Sequence, residues 1–543
     1  MTSSNNYLLI LNSLNDIKLN LNNEETFVYS LNSGSLKNKN SQSLNSYKKF
    51  HKIAFDIKDQ YINLIGNLSK YFENTNSFNG KNFFYFTEIS AKRTEYLKNF
   101  DSICHIFFIK SIIDKYNINK IIYYNVSDEI IATINSFSNI KFEILKKYKN
   151  IQYQKQKIFL RQVNFAAKIL FLKILLLFFS KKKFQTSDNY YFSTYPKNFN
   201  NEYQIKYGEY YKKNSVFILS LLTDNIHQKF NISKFFNIIK SLNKRFIHNY
   251  IISDSYIKFK DISFFMIASV KFRNIFKKNL NHFTINNLDF SSIIKSDFEK
   301  SYERYVRLLT ISRSYIRLAK KIEHQANFHY YLFEYPYGRM LSLSFSKSNI
   351  NRVGFQHGPA GYLKMICYIS EVEKNYMYSN KILPNSIAVE DVISQKIYEA
   401  GNYSNISIMP EVYRLKYLNK IKRLNPLDNH HLIACGLHDG LMIFKIMLKK
   451  IKLNKNINYI LKLHPKAANH EIINLVNYYN LKNLKIAEEQ IEYYLEYIDK
   501  VYFSYTSIGN EAAFLGIKKE ILYSSFKLNE SIFCNKENFV NSY

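Results

Sequence analysis

Three short apolar runs near the C-terminus constrain the fold more than any other feature of the chain. They are "HHLIACG" (430–436), "NYILKLHP" (458–465) and "KVYFSY" (500–505), and they stop at Gly436, at Pro465 and at a group of hydroxyl residues. Runs without polar alternation are buried on both faces, as parallel strands covered by helices are. The segment "LMIFKIMLKKIK" follows the first run. "EEQIEYYLEYID" precedes the third, with Ile491, Tyr494, Leu495 and Ile498 at helical spacing. "NEAAFLGI" follows it. A β-α-β-α-β-α series of this kind predicts one nucleotide-binding-type α/β unit.

The alternation extends back through the chain. Strand-like runs lie at 51–57, 82–89, 120–127, 190–195, 215–222, 246–255, 330–335 and 350–358, and helical stretches at 102–116 and 295–325. The fold class expected is α/β with mostly parallel sheets. Residues 32–49 are polar and of low complexity, so 1–50 is expected to be a partly disordered segment. An N-terminal α/β domain is expected over 51–364. A connection is placed at 365–390, which carries Pro384 and no strong period, and a C-terminal domain at 391–543. A 543-residue chain with 46% hydrophobic residues sustains that many cores.

The formal net charge of +33 raises the question of nucleic acid. The Lys residues are spread evenly among Asn, Ile and Tyr, without zinc spacing, an aromatic RNA-binding strand or a basic region with heptads. A chain-wide compositional drift explains them better than a binding face. Nucleic acid is therefore not an expected partner, and peripheral contact with an anionic inner membrane is. A non-catalytic basic scaffold is the alternative of another class. Cys104, Cys367, Cys435 and Cys534 are far apart and form no metal-ligand spacing. They read as buried thiols in a reducing compartment. With no leader-like segment, the expected location is the cytoplasm, at the membrane face. The longest apolar stretch, 165–183, is broken by Lys168 and Lys173 and falls short of the ~20 residues that span a bilayer. It reads either as a core helix or as an interfacial one with Lys181, Lys182 and Lys183 at the headgroups.

Candidate chemistry sits where strands end. "LKLHPK" delivers His464, Pro465 and Lys466 to a strand's carboxyl end, the edge where open α/β sheets bind ligands. "SYTSIGNEAAFLG" places Thr506 and Ser507 before a helix, where backbone N–H groups attract anions, and Glu511 on its first turns. Ser507 reads equally as a plain N-cap. His464 and Ser507 are expected on neighbouring strands of one edge, with Gly436 opening a helix nearby. In "RVGFQHGPAGYLK" (352–364), Gln356 and His357 end a strand, and Gly358 removes a side chain. A histidine there suits proton transfer, and the turn alone is the plainer alternative.

These motifs resemble, in their order, bacterial surface carbohydrate biosynthesis proteins of GT-B-like type: capsule Kdo transferases, bacterial sialyltransferases and CDP-glycerol glycerophosphotransferases. "TEISAKRTEYLKNF" (87–100), "LFEYPYGR" (332–339) and "MPEVYRLKYL" (409–418) add to the resemblance. It implies two Rossmann-like domains facing across a cleft, the C-terminal one binding a nucleotide-activated sugar. It implies that His464, Thr506 and Ser507 hold the donor phosphate and that His357 sits at the reaction centre. The base is left between His357 and Glu334, with Asp439 third, and Arg339 joins Gln356 and Gly358 on the acceptor side. The function so implied is transfer of a sugar, with a CMP-activated Kdo- or sialic-acid-like donor, to a glycan or lipid-linked acceptor. A CDP-glycerol-type polyol-phosphate transferase is the alternative. No Asp-x-Asp pair and no Gly-rich dinucleotide loop is present, so neither a metal nor a bound cofactor is expected.

Overall fold

A computed structural model describes residues 6–12, 26–32, 41–75, 77–97, 99–148, 154–179, 184–194, 212, 214–224, 232–245, 249–277, 280, 283–409, 417–423, 427–465 and 467–540. The described strands form three parallel sheets and one two-stranded hairpin. The first sheet contains β1 (Tyr7–Leu11), β2 (Thr26–Ser30), β3 (Ser41–Ser43), β4 (Lys120–Tyr124) and β5 (Lys141–Lys146), in the order β3-β2-β1-β4-β5. The central sheet contains β6 (Asn189–Thr194), β7 (Val216–Ser220) and β8 (Asn249–Ile252). After the hairpin β9 (Thr284–Ile285) and β10 (Leu288–Asp289), it resumes with β11 (Ala326–Tyr331), β12 (Ile350–Phe355), β13 (Ser386–Val389) and β14 (Ile406–Ile408). Its order is β14-β13-β12-β11-β6-β7-β8. The third sheet contains β15 (His430–Ala434), β16 (Asn458–Lys462), β17 (Leu484–Ile486), β18 (Lys500–Phe503) and β19 (Lys518–Ile521), in the order β17-β16-β15-β18-β19.

The α/β class with parallel sheets is as expected, and the third sheet follows the predicted alternation closely. Its core strands are apolar because helices cover both faces. The first and third sheets share one topology, in which the strand order reverses beside the first strand. Those reversals, between β1 and β4 and between β15 and β18, are the points where such sheets open a crevice.

Several local expectations are corrected. Residues 51–57 lie inside the helix Tyr47–Leu68, whose buried positions Phe50, Ala54, Ile57, Tyr61, Ile65 and Leu68 repeat every three or four residues. A seven-residue window is too short to show that period. Residues 82–89 contain the 3-10 turn Phe83–Phe86, with all four rings buried and Asn82 accepting from Phe84 N. Strands β1 to β3 come from the first 50 residues, and β1 is the first sheet's central strand. The stretch 365–390 is no linker: it holds the helix Glu371–Ser379, with a Ser370/Glu373 capping box, and β13 of the central sheet. The chain leaves the central sheet only after β14, because β13 and β14 continue its parallel register. "MPEVYRLKYL" falls largely outside the described residues, as do Lys181, Lys182 and Lys183. Among the described residues no helix is long and apolar enough to cross a membrane.

Candidate functional site

The third sheet positions the most closely built turns. β15 is the first strand of its unit, and its turn runs through Gly436 to the helix Gly440–Leu453. A Cβ on Gly436 would stand 2.3 Å from Asp439 Oδ1 and 2.9 Å from Thr506 Cγ2. A side chain at 436 would therefore force apart the β15 and β18 turns. A Cβ on Gly440 would meet Cys435 Cβ and Ile472 Cδ1 at 3.1 Å, so this glycine lets the helix start close against its strand. Asp439 is buried under the joined turns. Burial pushes its carboxyl up to about 6, against the opposing pull of the Lys527 ammonium and of the backbone N–H groups of Gly436 and Tyr505. Lys527 Nζ donates to Tyr505 Oη at 2.6 Å.

Outside these turns lies a cavity of about 590 Å³. One wall is the crevice edge of the first sheet: Asn12 follows β1, Asn32 follows β2, and Ser127 and Glu129 follow β4. The other wall is the third sheet: His438 and Met442 follow β15, and Ser524, Phe526 and Lys527 follow β19. Asp101, Ser102 and His105 come from the helix Asn99–Tyr116, and Lys300 from the helix Ser291–Ala319. The two halves are tied together beside the cavity. His105 is 3.2 Å from the Phe526 carbonyl through Nε2 and 2.7 Å from Tyr29 Oη through Nδ1. A carbonyl only accepts, so Nε2 carries the proton and Nδ1 accepts from the tyrosine. Burial lowers this imidazole to about 4 and keeps it neutral. His51 makes a second tie, with Nδ1 donating to Tyr47 O at 2.8 Å and Nε2 accepting from Asn529 N at 3.0 Å. The arrangement offers an anion the first turn of a 14-residue helix, whose leading N–H groups lack intrahelical acceptors, with an imidazole and an ammonium nearby.

The residues singled out from the sequence separate into three groups. Gly436 and Thr506 meet at the crevice of the third sheet. His464 and Pro465 lie at the end of β16, on the same edge, but β15 stands between them and β18. The expectation of neighbouring strands is corrected: the chain builds outward from β15 to β16 and β17 before it returns to the other side. Lys466 lies outside the described residues. Ser507 precedes the short helix Ile508–Phe514 without a side-chain capping bond. With the buried Glu511 it lines a smaller groove of about 300 Å³ that also touches Glu390 and Asp391 of the central sheet.

The central-sheet candidates are mostly internal. Glu334 is buried, accepts from Tyr398 Oη, and has its carboxyl raised by burial. Arg339 is fully buried, donating to Tyr85 O at 3.1 Å and Ser90 Oγ at 2.9 Å. Gln356 is a strut: its Oε1 accepts from Glu390 N, and its Nε2 donates to Gly358 O and Ser394 Oγ. Only His357 of this group is exposed, with the Tyr331 and Tyr335 rings edge-on at 6.2 and 6.5 Å. Of the glycines behind it, Gly361 answers to the chain itself and Gly358 does not. A Cβ on Gly361 would stand 2.0 Å from Glu530 O, whereas one on Gly358 would meet only Lys364 Nζ at 3.6 Å.

Sequence reasoning missed His438, Lys527 and His105, and ranked Asp439 last among the bases. The first turn of the C-terminal unit was the available signal for His438 and Asp439. The others are brought in from distant parts of the chain, and no local pattern marks them.

No protein-family model matches the chain, and none of the curated proteins compared with it matches. Among solved structures, it is similar to a UDP-N-acetylglucosamine 2-epimerase from Rickettsia bellii, with a TM-score of 0.32 and 12% identity, over 61% of this chain and 78% of that one.

Proposed function

We propose that this chain is a glycosyltransferase that moves a sugar from a nucleotide donor to a glycan or lipid-linked acceptor. The observation that carries the reading is the cavity itself, because two parallel sheets of one topology turn their crevice edges toward it. The donor's phosphate is placed at the start of the helix Gly440–Leu453, with a ring N–H of His438 donating to it and Lys527 balancing charge as the phosphate leaves. The Lys527 ammonium leads us to expect turnover in the presence of a chelator. Asp439 lies buried beneath the β15 and β18 turns of this site. The acceptor is placed on the first-sheet wall, with Asp101 as the base that takes the hydroxyl proton. Glu334 has no part in this reading. A CMP-activated Kdo- or sialic-acid-like donor is the finer proposal, resting on motif order alone.

Calorimetry against cytidine, uridine and guanosine nucleotides tests the reading. Lys527→Ala and His438→Ala are expected to weaken the preferred nucleotide about tenfold or more. Asp101→Asn is expected to lower kcat and leave nucleotide affinity unchanged. Absence of binding to every nucleotide tried refutes the assignment of the cavity.

A further inference from the structure

The helix Gln154–Phe179 packs through one face and leaves another uncovered. Phe165 and Leu172 on its inner face are buried, and the Phe165 ring lies 5.1 Å from that of Phe265 on the helix Lys260–Ile275. On its outer face, Leu160, Val163, Ala167, Leu170, Ile174 and Leu177 recur at alternating steps of three and four, and all are exposed. That row extends about 26 Å. Leu177 is 60% and Phe178 77% accessible. The neighbouring helix adds a second row, with Ile267 67% and Val270 71% accessible. Isolated exposed aliphatic residues are ordinary, but two adjacent rows of them mark a surface that something covers.

Charge selects the occupant. The first helix carries no acid, but its described cations turn inward, with Lys168 buried, Arg161 on Glu303 and Lys173 on Ser255 O; the second carries three Lys or Arg with Asp261 as its one acid. Asp261 is buried and held by Arg313 and Arg317, so it does not offset the surface. Lys258, Lys260, Lys271, Arg273 and Lys277 are all exposed beside the second row. Pairing this face with a second copy would bring like charges together in a chain whose net charge is already +33. An anionic bilayer reverses that term: headgroups meet the cations and acyl chains take up the aliphatic rows. We propose that the two helices form a docking face for the surface of an anionic lipid bilayer, with the Gln154–Phe179 helix lying in the plane of the interface. The proposal is independent of what the cavity binds.

Co-sedimentation of the full chain with vesicles tests it. Vesicles of about one-third phosphatidylglycerol in phosphatidylcholine are compared with phosphatidylcholine alone. The wild-type chain is expected to bind the anionic vesicles about tenfold or more tightly, with the preference falling as salt is raised. Two double variants, Leu177→Ser with Phe178→Ser and Ile267→Ser with Val270→Ser, change exposed side chains and are expected to keep the melting temperature. Each is expected to lose about tenfold in binding. Failure of the wild-type chain to pellet with anionic vesicles overturns the proposal, as does equal pelleting of folded variants. So does a concentration-dependent dimer in light scattering that the variants dissociate while vesicle binding is absent.

Discussion

Mild acid is expected to loosen the tie between the two walls of the cavity, through His51 and His105. Both are buried, and burial holds each imidazole down at about 4, against about 6.5 when unfolded. A depressed folded pKa means that the unfolded or opened state binds more protons between those values. The stabilisation is whole above pH 6.5 and is lost as pH falls toward 4. Integrating from pH 7 to pH 5 gives a loss of about 2 kcal/mol for one such histidine. In a local opening that corresponds to about a 30-fold fall in protection. Amide hydrogen exchange across 524–531, corrected for intrinsic rate, reads this directly, because the segment hangs on Phe526 O and Asn529 N.

Asp439 works the other way. Its folded carboxyl is raised to about 6, so its contribution is present at low pH and is lost as pH rises through 6. Over the same interval it offsets about 1 kcal/mol. Comparing wild type with His105→Gln removes that common term, since Gln does not titrate and keeps a donor and an acceptor. The wild-type segment is expected to lose about 2 kcal/mol more protection than the variant between pH 7 and pH 5. Parallel pH profiles would show that His105 does not titrate with opening, and would refute the reasoning.

Asp439→Asn is expected to raise the thermal midpoint at pH 7.5, by up to about 3 kcal/mol of stability, with the gain closing as pH falls toward 4. A pH-independent difference would mean that burial of charge is not the cause. Gly361→Ala is expected to destabilise by about 1–3 kcal/mol through the clash with Glu530 O, while Gly358→Ala, whose Cβ makes only an ordinary contact with Lys364 Nζ, stays within about 0.5 kcal/mol. Equal effects in denaturation would remove the distinction. The fully buried Lys92–Glu373 pair, 2.7 Å apart, gives a third comparison: Lys92→Met alone is expected to cost about 3–5 kcal/mol, and Lys92→Met with Glu373→Leu much less, by the same measurement.

The third sheet was legible because its strands are short, apolar and closed by Gly, Pro or hydroxyl residues, and because 3.6-residue periods separate them. The first sheet was not. Strands β1 and β2 are flanked by the polar, low-complexity text of the first 50 residues, and the helix Tyr47–Leu68 presents a strand-like run when read seven residues at a time. Missing that sheet moved where a cleft was expected. Once β1 to β3 are absent, the central sheet becomes the apparent partner of the third, and its strand ends, at Glu334 and His357, inherit the role of the opposite wall.

Arg339 and the 87–100 motif share a physical role inside the protein. Arg339 reaches Tyr85 O and Ser90 Oγ, Lys92 pairs with Glu373, Arg93 lies over the Tyr335 ring at 4.8 Å, and Thr94 donates to Glu530. Residues 85–94 thus join the central sheet and the C-terminal segment at one place, through charged and hydroxyl side chains that are largely buried. A cation placed to satisfy internal carbonyls and a cation placed to meet a phosphate are the same residue type at the same kind of strand or helix end. Motif order therefore reports that such residues are needed, without saying for what. Burial separates them: Arg339 is enclosed in the protein, whereas Lys527, which also donates to Tyr505 Oη, and His438 line the cavity between two crevices. The proposed function accordingly places the phosphate at the turn after β15, with Gly436 and Gly440 at its ends, and the His464 turn lies one strand away on the same edge.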